Sequence, residues 1–222
     1  GTMPVIDLNA DLGETTNGIA VADDHAMIRL ATSANVATGL HAGEPHTIAA
    51  TVRAAAERGV SVGAHIGYND PANFGRTNMD IDSAQLADEV LYQIGALDAL
   101  ARRYGTRVTY VKPHGAMYNT IVHHTDQAHA IIDGIHAFSS DIAVMLLPGG
   151  VAVEVAETKG LRVIREAFAD RNYNPVGILV SRTQANAVVT DPEFVAARVR
   201  QDAETGSVTA LAGTGVEVDA GC

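Results

Sequence analysis

The sequence predicts an α/β fold in which helices cover a parallel sheet, and three observations lead there. Short β-branched runs alternate with helical patterns along the whole chain, the arrangement that builds parallel sheets. Polar residues fall directly after several different strand candidates. The chain is 47% hydrophobic but only 5% aromatic, with no Trp, and a core rich in Ala and Val suits close packing of helix on sheet. An open doubly wound sheet and a closed barrel both satisfy the alternation. The strand-end residues favour the barrel, because a barrel brings all its strand ends to one rim, whereas an open sheet collects them only at its switch point.

The first strand candidate is Val5–Leu8, and the next lies near Ala34–Ala37. Pro45–Arg58 reads as a helix with Ile48, Val52 and Ala55 on one side and Gly59 as its stop. Val60–Ala64 is the third strand. The clearest helix is Ser83–Tyr104, where Leu86, Val90, Ile94, Leu97 and Ala101 share one face. Ser83 is its expected N-cap and Gly105 its C′ residue. Strands at Val108–Val111, Ile142–Leu147 and Leu161–Ile164 follow, with a weaker pattern at Ile178–Val180. Between them, a helical stretch carries His123, His124, His129 and His136, and Pro148-Gly149-Gly150 opens another helix. Asp191-Pro192 starts a further one with proline at its first position. No linker, low-complexity tract or tandem repeat appears, so residues 1–222 are expected to form a single β/α domain. Gly1-Thr2 ahead of Met3 reads as a cloning remnant.

The formal net charge of −11 argues against nucleic acid or an anionic membrane as the main partner, since both need a basic patch. The one cysteine, Cys222, rules out an internal disulfide or a cysteine metal site. No apolar run approaches the roughly 18 residues of a membrane span, and no signal peptide opens the chain. A cytoplasmic location is expected.

The chemistry gathers at strand ends. In "VIDLNADLGE", residues 5–14, alternation places Ile6 and Leu8 on one face and Asp7, Asn9 and Asp11 on the other. Two carboxylates and an amide on one strand face fit a polar cluster in a barrel mouth. A strand–His–Gly pattern then occurs three times: His41 before Gly43, His65 before Gly67, and Lys112 with His114 before Gly115. Two chemistries fit these groups. Asp11, His41 and His65 are a ligand set for Zn²⁺ or a similar cation that activates water. Alternatively, carboxylate–imidazole pairs do general acid–base work while Lys112 stabilises an oxyanion. Spacing alone does not separate the two. Arg76 and Asn78 lie in a glycine-containing loop that could close over a site, with Arg76 suited to a carboxylate. His25 and the histidines from His123 to His136 read as surface residues. There is no Walker A pattern, so nucleotide use would need another cradle or another subunit.

Taken together, "IDLNADLGE", "SANVATGLHAGEP", "GAHIGYND", "FGRTNMD", "LYQIGAL", "VKPHGAMYN" and "FADRNY" resemble the LamB/YcsF family from Ile6 to about Val218. The resemblance implies a distorted (β/α) barrel of the glycoside hydrolase and deacetylase type. It implies hydrolysis of 5-oxo-L-proline to L-glutamate coupled to ATP, by a 5-oxoprolinase whose A subunit works with subunits B and C. The chain departs from the family pattern around His41, where Thr38, Leu40 and Glu44 replace Cys, Phe and Asp, and after His65, where Ile66 and Asn69 replace prolines. Family members also continue into a further strand and helix that this chain is expected to lack. On this reading Asp11 with His41 or His65 activates water, and Lys112 and His114 meet the oxyanion or phosphate. Arg76 takes the substrate carboxylate, and Asn9, Glu14, Asn35 and Asn78 complete the substrate-binding set. ATP serves as co-substrate at a site that a partner could share, and the chain could also form a homo-oligomer. A metal-dependent amidohydrolase or deacetylase working without ATP, and a non-catalytic subunit that binds a small acid, are the alternatives.

Overall fold

Strand and helix alternate as the patterning predicts. The structure, a computed structural model, describes residues 6–16, 19–20, 24, 28, 31–167, 178–182 and 216–219. The strands are β1 (Ile6–Leu12), the short β2 (Thr15–Thr16) and β3 (Ile19–Ala20), β4 (Ser33–Ala37), β5 (Ser61–Ile66), β6 (Val108–Pro113), β7 (Ala143–Leu146), β8 (Arg162–Ala167), β9 (Ile178–Arg182) and β10 (Val216–Asp219). The helices are α1 (Pro45–Glu57), α2 (Ser83–Arg103), α3 (Gly115–Thr120), α4 (Thr125–Phe138) and α5 (Val151–Thr158). Val5, His25, Asp170, Arg171 and the expected helix at Asp191-Pro192 lie outside the described residues, as does the side chain of Asp7.

An eight-stranded sheet runs in the order β10-β8-β7-β6-β5-β4-β1-β9. Neighbours from β1 through β4, β5, β6 and β7 to β8 are parallel. β9 joins β1 and β10 joins β8 antiparallel. These two flanking strands also lie against each other, so the sheet curls on itself as a distorted barrel. Among the described residues, no helix is long and apolar enough to cross a membrane.

The two faces of the sheet have different jobs. Ala10, Leu12, Ala34, Val36, Val62, Ala64, Ile66, Val111, Val144, Leu146 and Val163 join the main core under the helices. The helices answer with the faces read from the sequence: Ile48, Val52 and Ala55 of α1, and Leu86, Val90, Ile94, Leu97 and Ala101 of α2, are buried. Each large apolar side chain buried this way contributes about 1.5–3 kcal/mol. The alternate strand positions face the barrel interior. Tyr110, Ala143, Met145 and Ile164 form a small separate apolar cluster there, and polar residues such as Asn9, Asn35, His65, Lys112 and Glu166 share that face. Gly63 makes room for this packing, since a Cβ on it would lie 2.2 Å from the Tyr110 ring.

Several boundaries differ from expectation for local reasons. Strand β1 continues to Leu12, carrying Asp11 within it. Asp82, rather than Ser83, caps α2, and its side chain accepts from the Gln85 N–H at 3.2 Å. His123 and His124 precede α4, and His124 caps it by accepting from the Gln127 N–H at 3.2 Å. The one-and-a-half-turn helix α3 begins directly after His114, an element the sequence patterning does not mark.

Candidate active site

The site is built from the carboxyl-terminal ends of the parallel strands and the loops that follow. Register places Asp11 of β1 beside Asn35 of β4, and His65 of β5 beside Lys112 of β6. Asn35 Nδ2 donates to Asn9 Oδ1 at 2.7 Å and to Asp11 Oδ1 at 3.0 Å. Tyr110 donates its hydroxyl to Asn35 Oδ1. One amide thus fixes a carboxylate and a second amide from the neighbouring strand, all buried.

Above this layer sit Glu14, His41, His65 and His114, all buried. Glu14 Oε2 is the hub: His41 Nε2 lies 2.7 Å from it, His114 Nδ1 3.8 Å and His65 Nδ1 3.9 Å. The rings of His41 and His114 stack at 3.8 Å, and His65 stands edge-on to both. Loop 67–76 clamps this stack. A Cβ on Gly67 would come within 2.8 Å of His41 Nδ1, and one on Gly75 within 2.8 Å of His41 Cβ. Only glycine lets the backbone approach so closely. Gln93 of α2 holds the loop from behind, accepting from the Gly67 N–H at 2.8 Å and donating to the Gly67 carbonyl at 3.1 Å.

Phe74 has φ +56°, a left-handed conformation that costs a non-glycine residue energy. The turn aims its carbonyl at His114, whose Nε2–H donates to it at 2.8 Å. A carbonyl can only accept, so this bond fixes the tautomer and leaves Nδ1 of the neutral ring as a lone pair facing Glu14.

Burial sets the protonation of the cluster. It pulls His41 and His114 down to about 4, and His65 well below its ordinary value. Burial, followed by the charge of Asp11, pushes Glu14 up to about 8. Burial thus disfavours charge on both partners of the His41–Glu14 contact.

The same four residues pass the test for a metal site. Their ligand atoms lie within 4.8 Å of one another. His65 Nδ1 is buried without a hydrogen-bond partner. The imidazoles are neutral, as ligands must be. Three nitrogens and one carboxylate oxygen suit a zinc-like cation better than magnesium or calcium. The sequence offers Asp11, His41 and His65 as candidate ligands. The structure groups the two histidines with Glu14 and His114, while Asp11 Oδ1 stands 3.8 Å from His65 Nδ1, held by Asn35.

Asn9, Asp11, Glu14, Asn35, His41, His65, Lys112 and His114 thus come together as one constellation. Arg76 lies at its edge, exposed, with its guanidinium 4.8 Å from the centroid of the Phe74 ring. Its charge reaches Glu14 and His41. Asn78 stands apart, accepting from Thr120 Oγ1 at 3.2 Å and so tying the loop to α3. Sequence reasoning missed Glu166 and Tyr118. Glu166 is fully buried on β8, with Lys112 Nζ 3.3 Å from its Oε2, and Tyr118 donates to its other oxygen. The signal was present: carried on to Ala167, the alternation of β8 puts a carboxylate on the interior face beyond Ile164.

An α/β barrel whose strand ends gather carboxylate, imidazole and ammonium groups is the architecture of a barrel-type enzyme. The chain matches the LamB/YcsF family over residues 6–222 and belongs to it. It is 62% identical over 215 residues to the 5-oxoprolinase A subunit of Corynebacterium jeikeium, covering 97% of this chain and 83% of that one. It is 50% identical over 218 residues to the 5-oxoprolinase A subunit of Kocuria rhizophila, covering 98% and 86%. The lactam utilization protein from Thermus thermophilus has a similar structure, with TM-score 0.74 and 40% identity over 98% of this chain and 88% of that one.

Proposed function

We propose that this chain is the A subunit of an ATP-hydrolysing 5-oxoprolinase, opening 5-oxo-L-proline to L-glutamate in the cytoplasm together with subunits B and C. The observation that carries the reading is the buried Lys112 in register with His65, one of three neutral imidazoles gathered with Asp11 at the strand ends, in a chain 62% identical to a 5-oxoprolinase A subunit. Lactam hydrolysis asks for these groups. A lactam is a poor electrophile, and phosphorylating its carbonyl oxygen makes the carbon open to water. Asp11 with His41 or His65 takes the proton of that water. Lys112 and His114 meet the oxyanion or phosphate. Arg76 holds the substrate carboxylate, with Asn9, Glu14 and Asn35 around the ring. The sequence lacks a Walker A pattern, so ATP would be held by another cradle or by another subunit.

A second reading, a metal-dependent amidohydrolase without ATP, draws on the convergence of Glu14, His41, His65 and His114. A divalent cation bound there would supply Lewis-acid charge and a more acidic water.

A 5-oxoproline turnover assay, with and without ATP and with and without subunits B and C, separates the two. Turnover requiring ATP and both partners supports the first. Activity independent of ATP and partners, and abolished by chelator, overturns it in favour of the second. Lys112→Ala is expected to lower ATP-coupled turnover about 10²–10³-fold; full activity would remove Lys112 from its role.

A further inference from the structure

Besides the imidazole cluster, the barrel interior holds a buried charged pair of which the proposed chemistry uses only one member. Lys112 on β6 and Glu166 on β8 both face inward, with β7 between their strands. Their side chains are 5% and 0% exposed, and Nζ lies 3.3 Å from Oε2. Tyr118 of α3 donates its hydroxyl to Oε1, and its ring centroid lies 5.6 Å from Nζ. Both oxygens of Glu166 are therefore engaged, one by the ammonium and one by the phenol.

Two features set this pair apart from an incidental one. The chain uses arginine almost throughout: of 15 basic residues only Lys112 and Lys159 are lysines. Lys159 is a surface residue at the end of α5, 3.4 Å from Asp133. A compact ammonium on a flexible stem is thus specific to position 112, where a planar guanidinium would not be equivalent. The flexible stem also creates a need. A lysine aimed at a reacting group must be held at one point, because an ammonium that wanders loses most of its electrostatic effect. Among the described residues, Glu166 is the carboxylate that meets Nζ within ion-pair distance.

We infer that Glu166 is the positioning residue for Lys112: its carboxylate fixes the ammonium at the strand-end rim by an ion pair across β7, and Tyr118 fixes the carboxylate. The catalytic consequence rests on the proposed role of Lys112; the anchoring itself does not.

The test has two arms. In the complex with subunits B and C, Glu166→Gln keeps the shape but removes the charge. Its kcat for 5-oxoproline is expected to fall about 10–100-fold, with KM within about 2-fold, since the lost interaction belongs to charge that develops during reaction. Glu166→Asp recovers part of the loss, and Tyr118→Phe loses less than Glu166→Gln. In the second arm the protein is labelled with ¹⁵N only at lysine, and Lys159→Arg assigns the two Nζ signals. The Lys112 ammonium of the wild type is expected to exchange with water far more slowly than that of Lys159, and Glu166→Gln removes this protection. Wild-type kcat in Glu166→Gln, or a wild-type Lys112 signal that exchanges as fast as that of Lys159, overturns the inference. Should Glu166→Gln fail to fold, Tyr118→Phe and the wild-type exchange comparison decide it. A wild-type complex that leaves 5-oxoproline unchanged strikes the proposed function alone, and the exchange arm still decides the anchoring.

Discussion

Tyr68 is fully buried, and its hydroxyl is held by Gln127 Oε1. Gln127 Nε2 in turn donates to the Met79 carbonyl at 2.7 Å, and Thr120 bonds both Tyr68 and Asn78. This chain of polar groups ties down the far end of the segment that carries Phe74 and Arg76. Tyr68→Phe keeps the ring but leaves a buried amide oxygen without its donor. It is expected to destabilise the protein by about 1–3 kcal/mol, read as a lower urea midpoint at unchanged slope. An unchanged midpoint would remove Tyr68 from this role. The same scale shows what one dimension reveals. Asp11, His41, His65, Lys112 and His114 were legible because strand alternation and nearby glycines mark them as strand-end groups. Glu14 was legible as a polar neighbour but not as the hub, because its direction depends on the turn after β1, where Gly13 takes φ +70°. Alternation along β8 marks Glu166 as an interior carboxylate, but its pairing was hidden, because Lys112 lies two strands away, a distance no local pattern records.

Among the elements, α2 does the most. Its apolar face covers the sheet, and its Gln93 grips Gly67 behind His41. Helix α4 packs against it so closely that a Cβ on Gly134 would lie 2.6 Å from the Ala87 carbonyl oxygen and 2.8 Å from Val90 Cβ. Gly134→Ala therefore sets two effects against each other. Helix propensity favours alanine by about 0.5–1 kcal/mol, and overpacking against a backbone atom costs about 1–3 kcal/mol. The contact is with backbone, which cannot swing aside, so overpacking wins. The expected outcome is a net loss of about 1–2 kcal/mol, a fall in Tm of about 2–8 °C by calorimetry; a raised Tm would show that the helices separate freely. The long amphipathic helices and the parallel strands were legible because their periods run for several turns or recur along the chain. Helix α3 was not, since six residues after a proline and histidine carry too little periodicity. The strand β10 and the antiparallel edges were not either, because pairing at a sheet edge is decided by tertiary closure.

For the molecule as a whole, placing ionisable groups inside a barrel mouth ties stability to pH. The unfolded imidazoles titrate near 6.5, whereas His41 and His114 are held at about 4 and His65 well below its ordinary value. Between about 4 and 6.5 the unfolded chain therefore binds protons that the folded cluster refuses, and stability drops as pH falls. Glu14 acts in the opposite sense. Its folded value of about 8 lies above the ordinary 4.5, so the folded state keeps a proton that the unfolded state gives up. Stability is then lost as pH rises through that range. Below 6.5 the three imidazoles outweigh Glu14; above it Glu14 sets the slope. Chelator-treated protein is therefore expected to be most stable near pH 6.5, with denaturation midpoints falling on both sides toward pH 5 and pH 8. A cation held by Glu14 and the three histidines would favour the ionised carboxylate and the neutral rings in the folded state alone. Zinc should then raise the midpoint most at pH 8, where it removes the cost of ionising Glu14, and least at pH 5, where protons compete for the rings. A Glu14→Gln variant should lose most of the zinc effect together with its own part of the falling limb. Equal midpoints with and without zinc across this range would mean that the four residues do not take the cation, and would count directly against the ATP-independent reading of the site.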